Sequence, residues 1–362
     1  MGAPRIGLAL SGGGYRASCF GLGCLRALHD LDLLRYVTVI SGVSGGALLA
    51  ALYAYGPQRF ADFDDLVAGQ LRRGLQAEIA LRALRPDAIA RNLLHAAWVT
   101  LAGTDGEPAR RSANRTDALR DALAARAFGT RTLRDVTHPG IHVVITATDL
   151  RTTNAVRFGS RVSSCSAYGV IEEPVAVAEA VAASAAYPAL LPAIERRYTF
   201  RRQPGSEPER HLVQMADGGI YENLGLSVLE SGRSATHTAH TYPIDYVVSC
   251  DAGRGRPALW GGHFVLSRLK RSFDVTHRKA QDAARARLHA EHAAGLIRGF
   301  VQSYLGMPDD RLPVPVADLV PLAAVSDYPT DFRGMSETDI QTLALRGEQL
   351  TRVLAAHYCP DL

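Results

Sequence analysis

The feature that most constrains this chain is a pair of glycine-rich turns in its first fifty residues, each set between an apolar run and a helical pattern. Ile6, Leu8 and Leu10 make a short strand that ends at Ser11-Gly12-Gly13-Gly14. Ala17, Phe20, Cys24, Leu25, Leu28 and Leu31 then recur at helical spacing. The β-branched run Val37-Thr38-Val39-Ile40 is followed by Ser41-Gly42-Val43-Ser44-Gly45-Gly46 and by the apolar pattern Ala47–Leu52. Strand, turn and helix repeated in this order predict a parallel α/β sheet, because parallel neighbours need a crossover helix between them. The same reading turns the uncharged stretch 36–58, long enough to span a bilayer, into a strand, a turn and a buried helix. Residues 174–194 carry only Glu179 near their middle and are likewise read without a membrane span.

Further along, residues 57 to about 135 are rich in Ala, Leu and Arg with helical periodicity, which predicts a helical insertion. Gly103-Thr104-Asp105-Gly106 breaks it and Phe128-Gly129 caps it late. Strands resume at Ile141–Thr148; Val175–Ala186 reads as a buried helix ended by Tyr187-Pro188, and Arg201–Arg210 as a polar loop or hairpin tip. Leu212–Ala216 and Ile244–Cys250 are two further strands, each followed closely by an aspartate. After Ala252 the chain is expected to be helical, with a last helix from about Glu337 to His357.

Composition narrows the function. A net charge of +4 over 362 residues gives no case for nucleic acid, although the basic residues, all arginine except Lys270 and Lys279, are numerous. Five cysteines without a CxxC pair argue against a disulfide framework or a zinc site and for a reducing compartment. No metal or cofactor follows from the residues. The chain enters its first strand at once, which leaves no room for a signal peptide and makes the cytoplasm the expected location.

Gly42-Val43-Ser44-Gly45-Gly46 is a G-x-S-x-G between a strand and a helix. Such a turn lifts a serine hydroxyl clear of the sheet and aims the next helix's N–H groups at a developing oxyanion. A structural turn is the alternative. Gly12, Gly13 and Gly14 can turn backbone N–H groups toward one point, forming an anion nest, or simply close a tight turn. A nucleotide loop fails on spacing: no G-x-x-x-x-G-K-[ST] is present, and Ala17 stands where G-x-G-x-x-G needs its last glycine. Asp217-Gly218-Gly219 puts a carboxylate at a strand's C-terminal end, where α/β folds place functional groups. An Asx turn or helix cap explains it equally, and Asp251-Ala252-Gly253 is the rival.

Together these segments resemble the patatin-like phospholipase family, which is related to the cytosolic group IV phospholipases A2. Gly12-Gly13-Gly14-Tyr15-Arg16 is similar to its oxyanion loop, Gly42-Val43-Ser44-Gly45-Gly46 to its nucleophile elbow, and Asp217-Gly218-Gly219 to its aspartate motif. Thr148-Asp149-Leu150 and Ala183-Ser184-Ala185-Ala186-Tyr187-Pro188 agree with its connecting segments. The resemblance covers about residues 5–255, with the insertion at 57–135 and the region 256–362 outside any motif. It implies a three-layer α/β/α domain with a mostly parallel central sheet and a helical C-terminal extension (256–362) packed on it. It also implies a Ser-Asp dyad of Ser44 and Asp217. The N–H groups of Gly12, Gly13 and Gly14 would hold the oxyanion, Arg16 would lie near it or near a lipid phosphate, and Gly42, Gly45 and Gly46 would shape the elbow.

A Ser-His-Asp triad is the competing mechanism. His237, His240, His263, His277, His289, His292 and His357 all come late enough, but none sits in a glycine-rich loop just after a strand. The segment 254–298 carries ten Arg or Lys against Asp274, Asp282 and Glu291, with Phe264, Val265, Leu266, Leu269 and Phe273 as an apolar side. It reads either as an interfacial helix on anionic lipid or as a solvated helix packed on the core. The expectation is a lipid acyl hydrolase of phospholipase A type that cleaves fatty-acyl esters and touches a membrane peripherally through 254–298. An acyltransferase or thioesterase on the same site, or a membrane-associated binding protein with an inactive site, are the alternatives. The oligomeric state stays open.

Overall fold

A computed structural model describes residues 2–84, 114–188, 190–255 and 264–362. The first glycine turns fold as their local pattern dictates. Strand β1 (Ile6–Leu10) leads into helix α1 (Gly14–Asp30), and β2 (Val37–Gly42) leads into α2 (Gly45–Tyr55). All of β1 and α2 is buried, as continuous apolar runs covered on both sides should be. The uncharged stretch 36–58 is therefore β2, a turn and α2. Among the described residues no helix is long and apolar enough to cross a membrane.

The expected mostly parallel three-layer sheet is not what the chain builds. Parallel pairing is confined to one half, in the order β10 (Gly299–Tyr304), β9 (Tyr246–Asp251), β1, β2 and β3 (His142–Asp149). From β3 onward the strands are β4 (Asn154–Gly159), β5 (Ser163–Cys165), β6 (Gly169–Ile171), β7 (Ile194–Arg201) and β8 (Glu209–Asp217). Each is antiparallel to its neighbour, and β8 returns to pair with β3. The result is a closed six-stranded antiparallel barrel fused to the parallel strands through β3. The cause is loop length: connections of a few residues between β3, β4, β5 and β6 admit only hairpins, and no helix intervenes to permit a parallel return. Helix α6 (Val177–Ser184) is the one helix inside this run of strands among the described residues.

The way β3 is shared positions everything that follows. Its first half pairs in parallel with β2, ending with Gly42 opposite Ile145. Its last residues pair antiparallel with β8, with Asp217 opposite Ala147. The C-terminal ends of β2 and β8 therefore meet head to head two residues apart along β3, about 7 Å at the rise of a strand.

Of the expected insertion the structure describes α3 (Phe60–Arg73), α4 (Gln76–Ala83) and α5 (Arg115–Leu123); the break at Gly103–Gly106 lies outside the described residues. Beyond residue 255 the chain is not only helical: α7 (Val265–Ala293) and α8 (Glu337–Tyr358) flank β10, which extends the sheet beside β9. Its sequence Gly-Phe-Val-Gln-Ser-Tyr alternates buried with half-buried positions, a strand period short enough to be read as loop. Helix α8 lies against α1 so closely that a Cβ on Gly23 would stand 1.8 Å from the Ala344 carbonyl oxygen. Arg346, fully buried on α8, donates to the carbonyls of Leu305, Met307 and Val320 and to Asp309, which pins the connecting segment onto the helix.

Candidate active site

Ser44 stands at the end of β2 with φ 52° and ψ −118°, a conformation that non-glycine residues avoid and that is kept only where the surroundings enforce it. The enforcement is visible. The Ser44 N–H donates to Ser184 Oγ at 2.9 Å, and that hydroxyl donates onward to the Thr146 carbonyl at 2.6 Å. Behind Ser44, a Cβ on Gly45 would lie 1.9 Å from the Gly14 carbonyl oxygen, so the elbow rests directly on the first glycine loop. A Cβ on Gly46 would lie 2.2 Å from the Leu10 carbonyl oxygen and one on Gly42 2.7 Å from Ala47 Cα of α2.

Asp217 ends β8 and is almost fully buried. Its N–H donates to Ala186 O (2.9 Å), Thr148 Oγ1 donates to its carbonyl (2.9 Å), and its Oδ1 accepts the Gly219 N–H (2.7 Å). Burial pushes the carboxyl up to about 6, while the hydrogen bonds from the Gly219 N–H and the Ser44 side chain pull against that rise.

The glycine loop divides into two parts. The Gly12 N–H is taken by the Asn223 carbonyl at 2.9 Å, and the Tyr15 N–H by Asp331 O at 2.8 Å. Gly13 (φ 144°) and Gly14 (φ 60°) open α1 between them, and neither N–H has an acceptor among the described residues. Arg16 is buried, donating to Ala252 O and Tyr328 O at 3.0 Å and to Thr330 Oγ1 at 2.5 Å. Burial, with Arg254 nearby, pushes its guanidinium down to about 9. Its guanidinium reaches within 3.1 Å of where a Gly13 side chain would begin.

One cavity of about 670 Å³ is lined by Gly12, Gly13, Gly14, Arg16, Ser44 and Asp217 together. Its walls also include Ile79 and Ala80 of α4, Tyr187, Leu190 and Leu191 after α6, Phe273 and His277 of α7, and Asp331–Arg333. Asp251, the rival aspartate, does not reach it. That carboxylate is buried at the end of β9, where it accepts the Gly253 N–H (2.9 Å) and pairs with Arg285 of α7 at 2.5 Å. Among the described residues no cluster of three or more His, Cys, Asp or Glu side chains forms a metal site.

Of three further residues in the cavity region, Asn223 carried no weight in the sequence and His277 entered only as one of the late histidines. Ser184 was visible only as part of a helix end. Asn223 sits with its side-chain oxygen against both Gly12 and Gly219, joining the two glycine turns. His277 is the one described histidine in the cavity lining; burial lowers its imidazole, and the backbone of Gly219 partly restores it. His263 lies outside the described residues, as do residues 256–262 of the basic segment. The described part of that segment, α7, forms one wall of the cavity through Phe273, Asp274, His277 and Gln281.

Residues 8–229 match the sequence profile described as patatin-like phospholipase, more than half of the chain. The chain belongs to the patatin-like phospholipase family. The fold agrees with two structures of human GIVD cytosolic phospholipase A2. The first gives a TM-score of 0.56 at 13% identity, covering 97% of this chain and 59% of that one. The second, a complex with methyl gamma-linolenyl fluorophosphonate, gives 0.51 at 16% identity, covering 97% and 57%. A Saccharomyces cerevisiae protein named for a meiotic phospholipase, SPO1, is 46% identical over 44 residues, 12% of this chain and 7% of its own length. This patatin-like chain therefore spans less than two thirds of the length of each of these relatives.

Proposed function

We propose that this patatin-like protein is a serine acyl hydrolase that cleaves fatty-acyl esters of phospholipids or related lipids, with Ser44 as nucleophile and Asp217 as its base. The observation that carries the proposal is the strained Ser44 facing a buried carboxylate raised to about 6, both on the wall of one cavity. A base with that value is ionised at neutral pH yet basic enough to take a hydroxyl proton as the bond to carbon forms. Ser44 Oγ attacks the ester carbonyl while Asp217 accepts its proton, and the oxyanion is held by the free N–H groups of Gly13 and Gly14. Gly12, whose N–H is spent on Asn223, shapes the loop instead. A well-aimed oxyanion donor is worth about 3 kcal/mol of barrier. The alkoxide of the leaving lysolipid takes the proton back from Asp217. Water then gives its proton to Asp217 and attacks the Ser44 ester, and the fatty acid leaves as Ser44 is reprotonated.

Apolar walls at Ile79, Leu190, Leu191 and Phe273 suit an acyl chain, and Arg254 and Arg333 suit a charged head group. The elements that carry these walls also expose large apolar side chains, including Leu81 (70%) in α4, Leu84 (69%) at its end, and Phe264 (83%) and Leu269 (61%) at α7. With the arginines of α7 these side chains form a surface suited to an anionic lipid interface. The test is labelling with a fluorophosphonate probe mapped by peptide mass, run beside hydrolysis of mixed phospholipid micelles. Labelling at Ser44 with release of fatty acid is the expected result. Folded protein that neither labels nor turns over micellar lipid would overturn the proposal.

A further inference from the structure

Away from the Ser44 cavity, three arginines gather where β4 and β5 meet the segment that precedes β9. Arg157 on β4 is 8% exposed, its Nε has no partner, and its Nη2 reaches only the Ser227 hydroxyl at 3.5 Å. Arg233 donates to the Ser227 carbonyl and, at 3.3 Å, to Thr238 Oγ1. Arg161 donates to Ala239 O at 2.9 Å and stacks over the Tyr242 ring at 4.9 Å. His240, fully buried, ties them together: its N–H donates to Thr238 Oγ1, Nδ1 meets the Tyr242 hydroxyl at 3.3 Å, and Nε2 meets Ser164 Oγ at 3.0 Å. None of these residues lines the Ser44 cavity.

Among the described residues no carboxylate answers this charge. Among the described residues none pairs with Arg157, Arg161 or Arg233. Glu230, the carboxylate that Arg233 feels, is itself bonded to Arg287, and Glu222 is spent on the N–H groups of Leu224 and Ser227. Burial lowers His240 to about 3, and the fields of Arg157, Arg233 and Arg161 add to that, so the imidazole is neutral and does not add a fourth charge. A buried guanidinium without a counter-ion is costly unless something supplies the negative charge. Three forked donor groups with hydroxyls between them fit a tetrahedral oxyanion.

We infer that Arg157, Arg161 and Arg233, with Ser164, Ser227 and Tyr242, form a second binding site that takes a phosphoryl group. Its source is either inorganic phosphate or the head group of an anionic phospholipid. The test is thermal unfolding of the full chain in inorganic phosphate against chloride at matched ionic strength, repeated with Arg233→Ala, Arg161→Ala and Arg157→Gln. Phosphate is expected to protect the wild type beyond chloride, and Arg233→Ala, at a half-buried position, to lose about tenfold in apparent phosphate affinity. Glycerol 3-phosphate and vesicles with or without phosphatidic acid separate the sources. Retention on phosphatidic acid vesicles that Arg233→Ala and Arg161→Ala weaken assigns a head group, whereas protection by inorganic phosphate without vesicle retention assigns the free ion. Equal protection by chloride, or a phosphate response unchanged in both Arg233→Ala and Arg161→Ala, overturns the site. Fluorophosphonate labelling at Ser44 stays intact in these variants, which keeps failure here distinct from failure of the hydrolase proposal.

Discussion

Asp217→Asn separates what this carboxylate does for chemistry from what it costs the fold. Its carboxyl rises from an ordinary 3.8 to about 6 on folding, because burial penalises the charge more than the Gly219 N–H and Ser44 repay. A raised carboxylate binds its proton more tightly folded than unfolded, so its stabilising effect is present below pH 3.8 and is lost as pH rises through 6. About two pKa units at 1.36 kcal/mol each make the ionised Asp217 a liability of about 3 kcal/mol at pH 7, about half that at pH 5, and almost nothing near pH 3.5. Asparagine keeps an oxygen for the Gly219 N–H and has no charge to bury. The variant is expected to be inactive yet more resistant to urea than wild type at pH 7 to 8, with the difference shrinking toward pH 4. Chemical denaturation at four pH values measures this directly. A difference independent of pH would show that the carboxylate is not desolvated as described. In parallel, wild-type log kcat/KM should fall with unit slope below about pH 6, leaving about a tenth of the plateau at pH 5. A profile flat down to pH 5 would remove Asp217 as the base.

Ser184→Ala deletes the hydroxyl between the Ser44 N–H and the Thr146 carbonyl and leaves a buried donor unpaired, at a cost of about 1–3 kcal/mol. It should lower kcat with little change in KM; unchanged kcat would mean that the elbow holds itself. His277→Gln should keep kcat/KM within a few-fold, whereas a general acid or base lost there would cost about 10²–10⁴ and would replace the dyad with a triad. Asp251→Ala removes the partner of Arg285 and should destabilise the fold by about 3 kcal/mol, the low end for a buried pair because Arg285 keeps some water. Its Ser44 labelling rate should match wild type when measured well below its melting temperature; loss of labelling in folded protein would make Asp251 the base.

What the sequence made legible was what local chemistry decides. The two glycine turns, the strands before them and the helices after them are written in contiguous residues, and Ser44 sits where a G-x-S-x-G between strand and helix must put it. The antiparallel barrel was hidden because β5 and β6 are three residues each, too short to show a period. Strand β7 buries Ile194, Tyr198 and Phe200, but Arg196 takes the position between them on the same face and breaks the apolar alternation. Phe273 read as part of an apolar side and His277 as one of several late histidines, since nothing in their spacing says that this face of α7 closes a cavity.

The choice between the two aspartates shows where local reading ends. Asp217 and Asp251 each finish an apolar strand and each accept the N–H of a glycine two residues on, at 2.7 and 2.9 Å, so the same Asx geometry fits both. Pairing separates them. Strand β9 lies between β1 and β10, and its terminal carboxylate is met by Arg285, which holds it as one half of an ion pair. Strand β8 instead takes over the edge of β3 where β2 leaves it, opposite Ala147. That position brings Asp217 to the turn that β2 has just made, and among the described residues no arginine pairs with it, so it stays a buried carboxylate on the wall that Ser44 shares. The hairpins that overturn the parallel sheet are thus also what bring Ser44 and Asp217 to one cavity wall: a parallel crossover would have sent the end of β8 along its neighbours, whereas an antiparallel return points it head-on at the elbow.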